Sequence, residues 1–205
     1  RLFTTNLTPD RETGLGNWSF SAFQRAMREG VSRDGRHLYP AFPYTAFARI
    51  SDDDLLALYA YLQSLTPIHA PTPKAEMNAP FGVRSLMAGW NALYHDAEPY
   101  QPDSSRTVEW NRGAYLVNGL GHCGSCHTPR NALGAERLAD AYLAGAMVKG
   151  WEAPALTAQS GAVVPWSADE FYRYLRQGHT RYHGIAAGPM ASVVRQLAAL
   201  PDGDV

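Results

Sequence analysis

The 205-residue chain has only two cysteines, no excess of either charge and no long apolar run. Lys plus Arg total 18 against 19 for Asp plus Glu, the formal net charge is -1, and the basic residues form no run. That balance argues against nucleic acid as a partner. No stretch of about 18 consecutive apolar residues is present, so this piece does not span a membrane by a helix. The first residues, RLFTTNLTPD, lack the charged start, apolar middle and small-residue cleavage site of a secretory signal. We expect the natural start to be missing, and both termini, including the final AALPDGDV, to be cut from something longer.

What is present is an ordinary globular composition, 45% hydrophobic, enough for one large domain or two small ones. Ser51-Asp52-Asp53-Asp54 followed by LLALYAYLQSL offers an N-cap, acidic residues in the first turn and helical apolar spacing, and predicts a helix ending near Leu65. From Thr66 to Pro80 the chain carries TPIHAPTPKAEMNAP, too rich in proline for regular structure. FGVRSLMAGWNALYHD adds a short helix before the polar stretch AEPYQPDSS. Residues 66–105 therefore read as a connector between a first unit, 1–65, and a second, 106–205.

Sliding the chain by 148 positions pairs Trp18 with Trp166, Phe23 with Phe171, Arg28 with Arg176 and Gly30 with Gly178, an internal repeat. Each copy reads as a Ser-capped short helix followed by a Gly-containing loop. Leu55, Tyr59 and Leu62 form an apolar stripe at helical spacing. It is expected either to pair with Tyr115 and Leu116 or to be covered by segments outside this piece.

Both cysteines stand in Cys123-Gly124-Ser125-Cys126-His127, behind a predicted helix, RTVEWNRGAYLVNGLG. On a helical turn, positions three and four apart share a face, so two thiols can meet the two vinyl groups of one porphyrin while His127 points at its iron. This is the pattern of one covalent haem c per chain. Structural zinc would want four ligands, and His179 and His183 lie too far along the chain for a compact finger. A thioredoxin-like dithiol would want a preceding strand, and none is visible.

Met190, in Gly188-Pro189-Met190, is the choice for the sixth ligand, since Gly and Pro stiffen a loop and a thioether raises the reduction potential. Met147 competes, but AYLAGAM reads as an apolar helix segment in which core packing explains it better. His179 or His183 would give bis-histidine ligation instead. A ligating histidine is oriented through its other ring nitrogen, and Pro154, in Ala153-Pro154-Ala155-Leu156, is placed to offer a carbonyl to His127; it is otherwise an ordinary loop proline. Trp151 and Trp166 either border the haem, donating to a propionate, or are plain core.

TTNLTPDRETGLGNWS, AMREGVSRDGRHLYPAFPYTAF, DDDLLALYAYL, RGAYLVNGLGHCGSCHTPRNALGA, GWEAPALT and AAGPMASVV together cover most of the chain. In them the sequence resembles the multi-haem cytochrome c subunits of periplasmic membrane-bound dehydrogenases that oxidise alcohols, aldehydes, gluconate or related substrates. The resemblance implies an all-α fold of small cytochrome c-like domains in tandem, both truncated, with His127 and Met190 at the positions of the axial ligands. The sequence departs from the family pattern in three places. Residues 1–65 lack their own CxxCH and look like the rear part of a domain. Phe42, which the repeat pairs with Met190, stands where many relatives carry the axial methionine. The last helix of the second domain, the third haem domain and the membrane anchor lie outside the piece.

The resemblance further implies electron transfer rather than catalysis. A catalytic dehydrogenase subunit would reduce a haem, and electrons would pass toward quinone or a terminal oxidase on the periplasmic, outer face of the inner membrane. Membrane association would come through parts not in this chain, and the intact protein would hold more haems. The competing class is a haem-based ligand-binding sensor or a peroxidase with an exchangeable sixth ligand.

Overall fold

The computed structural model describes residues 1–77 and 82–205. Residues 78–81, which hold the end of the proline run and the first residue of FGVRSLMAGWNALYHD, lie outside the described residues. Among the described residues there are eight helices and two two-stranded antiparallel hairpins, 37% helix and 7% strand. The chain is mostly helical rather than purely so. Contacts divide it into unit 1, Arg1–Arg106 with Asn118–His122, and unit 2, Thr107–Val117 with Cys123–Val205.

Unit 1 contains α1 (Phe20–Glu29), α2 (Tyr44–Phe47), α3 (Asp52–Ser64) and α4 (Leu86–Tyr94). Ser19 Oγ accepts from the Ala22 N–H at the head of α1, and Ser51 Oγ from the Asp54 N–H at the head of α3, each satisfying a donor that the first turn leaves unpaired. Leu15, Phe23, Met27, Ile50 and Leu55 form the core, with Phe42, Phe47, Tyr59 and Leu62 packed against it. Each such side chain contributes roughly 1.5–3 kcal/mol by leaving water. The stripe of α3 is thus spent inside unit 1, with Leu55 fully buried. The expected pairing of that stripe with Tyr115 and Leu116 is wrong, because α1 and the Leu15 segment already cover it.

The connector's short helix, α4, belongs to the packing of unit 1. Tyr44 donates to Asn91 Oδ1 at 2.6 Å, Asn91 Nδ2 donates to the Glu29 carbonyl at 3.0 Å, and His95 Nε2 donates to the Arg28 carbonyl at 2.6 Å. Two side chains from α4 and its C-cap thereby satisfy carbonyls that the end of α1 exposes.

Unit 2 contains most of α5 (Val108–Asn118), then α6 (Gly124–His127), a hairpin of β1 (Ala146–Val148) and β2 (Trp151–Ala153), α7 (Ala168–Gln177), a hairpin of β3 (His179–Thr180) and β4 (Gly184–Ile185), and α8 (Gly188–Leu197). Asp202–Asp204 close the chain as a 3-10 turn, and Arg112 of α5 forks onto the Asp204 carboxylate at 2.7 and 2.9 Å. AYLAGAM is not a helix: Leu143 and Gly145 take positive φ of 55° and 88°, which ends any helical run, and Met147 falls on β1, 69% exposed rather than core.

The repeat is visible in three dimensions. Helix α7 has the same length as α1 and begins on Ser167, whose Oγ accepts from the Glu170 N–H in a full capping box. Gly30 and Gly178 end the two helices in the left-handed region at φ 64° and 78°. Leu38 N–H donates to Gly30 O at 2.7 Å, as Ala186 N–H donates to Gly178 O at 2.6 Å. The Val31–His37 bridge matches the His179–Ile185 pair of the second hairpin. Arg28 donates to the carbonyls of Ala48 and Ile50 and pairs with Asp52; Arg176 donates to those of Leu197 and Ala198 and pairs with Asp202.

Candidate functional site

Helix α5, not a strand, leads into the cysteine motif. The Cys123 N–H donates to Val117 O, and Cys123 O then accepts from the N–H groups of Cys126 at 3.2 Å and His127 at 3.0 Å. The motif is therefore one helical turn, which puts positions 123, 126 and 127 on one face. Both thiols are free rather than joined as a disulfide. Burial pushes the Cys123 thiol up from its ordinary range, the opposite of the lowering that activates a thiolate.

The back of this turn is tightly packed. A Cβ on buried Gly124 would lie 3.3 Å from both Glu136 Oε2 and Tyr142 Cε2. Thr128 is fully buried, and its Oγ1 accepts from the Leu143 N–H at 3.0 Å. Burial raises the Tyr142 phenol to about 12. With its back filled, the motif has only its other face on which to present thiols and imidazole.

His127 is held twice. Its ring Nδ1 donates to the Pro154 carbonyl at 2.7 Å; a carbonyl can only accept, so Nδ1 carries the proton and Nε2 is left as the ring nitrogen with a lone pair to offer. Its own carbonyl accepts from the Gly145 N–H at 2.7 Å. Gly145 and Pro154 are the two ends of the β1–β2 hairpin, whose register pairs Ala146 with Ala153 and Val148 with Trp151 across a Lys149-Gly150 turn with both φ positive.

Met190 lies half-buried on the first turn of α8, with Pro189 ahead of it. The Gly-Pro-Met segment is a helix start rather than the expected loop, because proline presets helical φ at a position where its missing N–H costs nothing. Trp151 leans on that helix start: a Cβ built on Gly188 would meet Trp151 Cε2, Cδ2 and Cζ2 at 2.5, 2.6 and 2.8 Å.

Trp166 is stacked 3.5 Å from the His183 ring at 13° and edge-on to Phe171 and Tyr174. His183 is buried in that stack, with Nε2 3.8 Å from Glu170 Oε2. Among the described residues no group of three or more His, Cys, Asp or Glu side chains converges as a metal site. The structure thus brings His127 to Pro154 and Trp151 to the Met190 helix start, and places Trp166 in the packing of α7.

On the hairpin that holds the motif and just beyond it, apolar side chains stay exposed rather than sealed together: Met147, Trp151 and Leu156, Met147 being 69% exposed. A large, flat, mainly apolar group held by two thioethers suits this lining, and the donor set, two thiols with an oriented imidazole, suits haem c. Reasoning from sequence missed Gly145 and Thr128 as supports of the motif. Thr128 directly follows it and was open to notice; Gly145 acts only through the folded hairpin.

No family model matches the chain. It is 60% identical to a nicotinate dehydrogenase subunit of Pseudomonas putida, over all of this chain and 17% of that protein. It is 42% identical to the fructose dehydrogenase cytochrome subunit of Gluconobacter japonicus, over all of this chain and 42% of that relative. It is 38% identical to the gluconate 2-dehydrogenase cytochrome c subunit of Pantoea cypripedii, over all of this chain and 48% of that relative. The chain therefore spans less than half the length of each of these relatives. With the CxxCH turn and its oriented histidine, these matches along the whole chain show that it belongs to the c-type cytochrome family that includes the cytochrome subunits of these dehydrogenases.

Proposed function

We propose that this chain passes single electrons through one covalently held haem c, as part of the cytochrome subunit of a dehydrogenase complex. Cys123 and Cys126 would hold the group covalently, and His127 and Met190 would supply the donors to its iron. When bound, it supplies a one-electron ferric/ferrous couple. The Pro154 carbonyl keeps His127 in the tautomer that offers Nε2 and makes the imidazole more basic. Met190 supplies the thioether that favours the ferrous state. In this reading the chain carries electrons and leaves the conversion of a substrate to its partner.

Units 1 and 2 are read as tandem cytochrome c-like domains, with residues 1–65 forming the rear part of the first. Phe42, packed edge-on against Phe47 at 5.4 Å, carries no ligand atom, so we assign no axial residue in unit 1. The relatives' names speak of nicotinate, fructose and gluconate dehydrogenases. By extension the electron donor here is a catalytic dehydrogenase subunit, and the acceptor a quinone or terminal oxidase. Covalent haem c is assembled outside the cytoplasm, which places the protein on the periplasmic side of the inner membrane. No helix among the described residues is long and apolar enough to cross a membrane.

The observation that carries the reading is the 2.7 Å bond from His127 to Pro154 beside two free thiols on one helical turn. Pyridine haemochrome titration of wild-type protein and of a Cys123→Ser/Cys126→Ser variant tests it. The variant is expected to hold one covalent haem fewer, and equal haem content would overturn the assignment.

A further inference from the structure

The β1–β2 hairpin touches His127 at its base and, at its turn end, the glycine two residues before Met190. At its base, the Gly145 N–H donates to the His127 carbonyl and the Pro154 carbonyl accepts from the His127 ring, each at 2.7 Å. The base is itself closed tightly: a Cβ on Gly145 would lie 2.9 Å from Ala155 N and 3.1 Å from Ala153 O. Leu156 N–H donates to Leu143 O at 2.8 Å just beyond it. At the turn end, Trp151 lies on Gly188, two residues before Met190. Gly188 is needed twice, for its φ of 52° and because the indole fills the space a side chain would take.

We propose that Trp151 is a positioning residue for Met190, acting through Gly188, so that the hairpin works as a strut setting the distance between the His127 and Met190 positions. This role differs from a contact between Trp151 and the haem, and it rests on the reading of Met190 as the sixth ligand. The physical argument is rigidity. A three-residue strand tied at its base by paired hydrogen bonds has few alternative positions, and a bulky ring at its end leaves the α8 start little room to retreat. Without the ring, Met190 samples detached positions, and a detached thioether exposes the iron to other ligands.

Four variants of the haem-loaded, full-length cytochrome test the strut: Trp151→Ala, Trp151→Phe, Gly188→Ala and Met190→Ala. The readouts are the long-wavelength absorption band of thioether-ligated ferric iron, the midpoint potential and carbon monoxide affinity of the ferrous form. Trp151→Ala is expected to weaken the band, lower the potential and raise apparent carbon monoxide affinity roughly tenfold, as a tenfold larger open fraction requires. Trp151→Phe, which keeps a ring, should restore most of all three. Gly188→Ala should resemble Trp151→Ala, and should perturb the band less when the indole is already removed. Haem content and melting temperature identify any variant that fails to fold. If Trp151→Ala leaves band, potential and affinity unchanged while Met190→Ala alters them, the strut is refuted and the ligand reading stands. If Met190→Ala alters none of them, the ligand reading itself fails.

Discussion

The imidazole of His127 donates its Nδ1 proton to the carbonyl oxygen of Pro154 across 2.7 Å. A carbonyl cannot be deleted by substitution, but the stiffness of its segment can. Pro154→Gly loosens the backbone that holds the acceptor, weakens the hydrogen bond and makes the imidazole less basic. The midpoint potential should rise by about 30 mV, roughly half a decade of relative ferrous affinity at about 59 mV per tenfold for one electron. Protein-film voltammetry is the check, and a fall in potential would count against the assigned role.

Met190→Ala should do the opposite. Removing a thioether that favours ferrous iron lowers the potential by on the order of 100 mV, nearly two decades at about 59 mV each. The ferrous form should also bind carbon monoxide readily. Facile binding by the wild type, in contrast, would favour a sensor or peroxidase with an exchangeable sixth site.

The two repeat copies predict unequal costs for one substitution. A Cβ on Gly30 would lie 2.7 Å from the Tyr44 ring, whereas one on Gly178 meets Val194 at an ordinary 3.4 Å. Gly30→Ala should cost about 3 kcal/mol, from left-handed backbone strain plus overpacking, and Gly178→Ala only about 1–2 kcal/mol from strain alone. Urea melts of the two variants, followed at unit-specific tryptophans, should separate them.

His95 should make unit 1 sensitive to mild acid. Burial is the largest influence and lowers its pKa below about 6.5; the Arg28 carbonyl, Asp96 and Glu29 oppose this and Arg49 reinforces it. The unfolded chain then takes up the proton first, so the stability is fully present above the unfolded pKa. It is lost as pH falls below about 6.5 toward the lower folded value. Denaturation of wild type and His95→Gln between pH 7.5 and 5 should show a steeper fall for wild type, since glutamine keeps a donor toward Arg28 without titrating. Parallel curves would remove His95 from the explanation.

The helices were legible because their signals are local. Ser19, Ser51 and Ser167 each precede an apolar-periodic run and cap it through a side chain within three residues. The AYLAGAM segment misled, because apolar composition suggests a helix while Leu143 and Gly145 adopt positive φ only in the folded context of the hairpin and Thr128. The stripe on α3 was correctly apolar, but which surface covers it depends on where Leu15 and Phe23 arrive from elsewhere in the chain.

Sequence by itself determined which donor groups the candidate site offers. The spacing of Cys123, Cys126 and His127 is a property of one helical turn, and the repeat follows from residue identities alone. Only the tertiary structure decided that Trp166 packs on His183, that Gly145 and Pro154 hold His127 from two sides, and that Trp151 fills the space beside Gly188. Those relationships join residues up to tens of positions apart. Their partners are chosen by the closing of hairpins and the filling of volume, which no local pattern of side chains encodes.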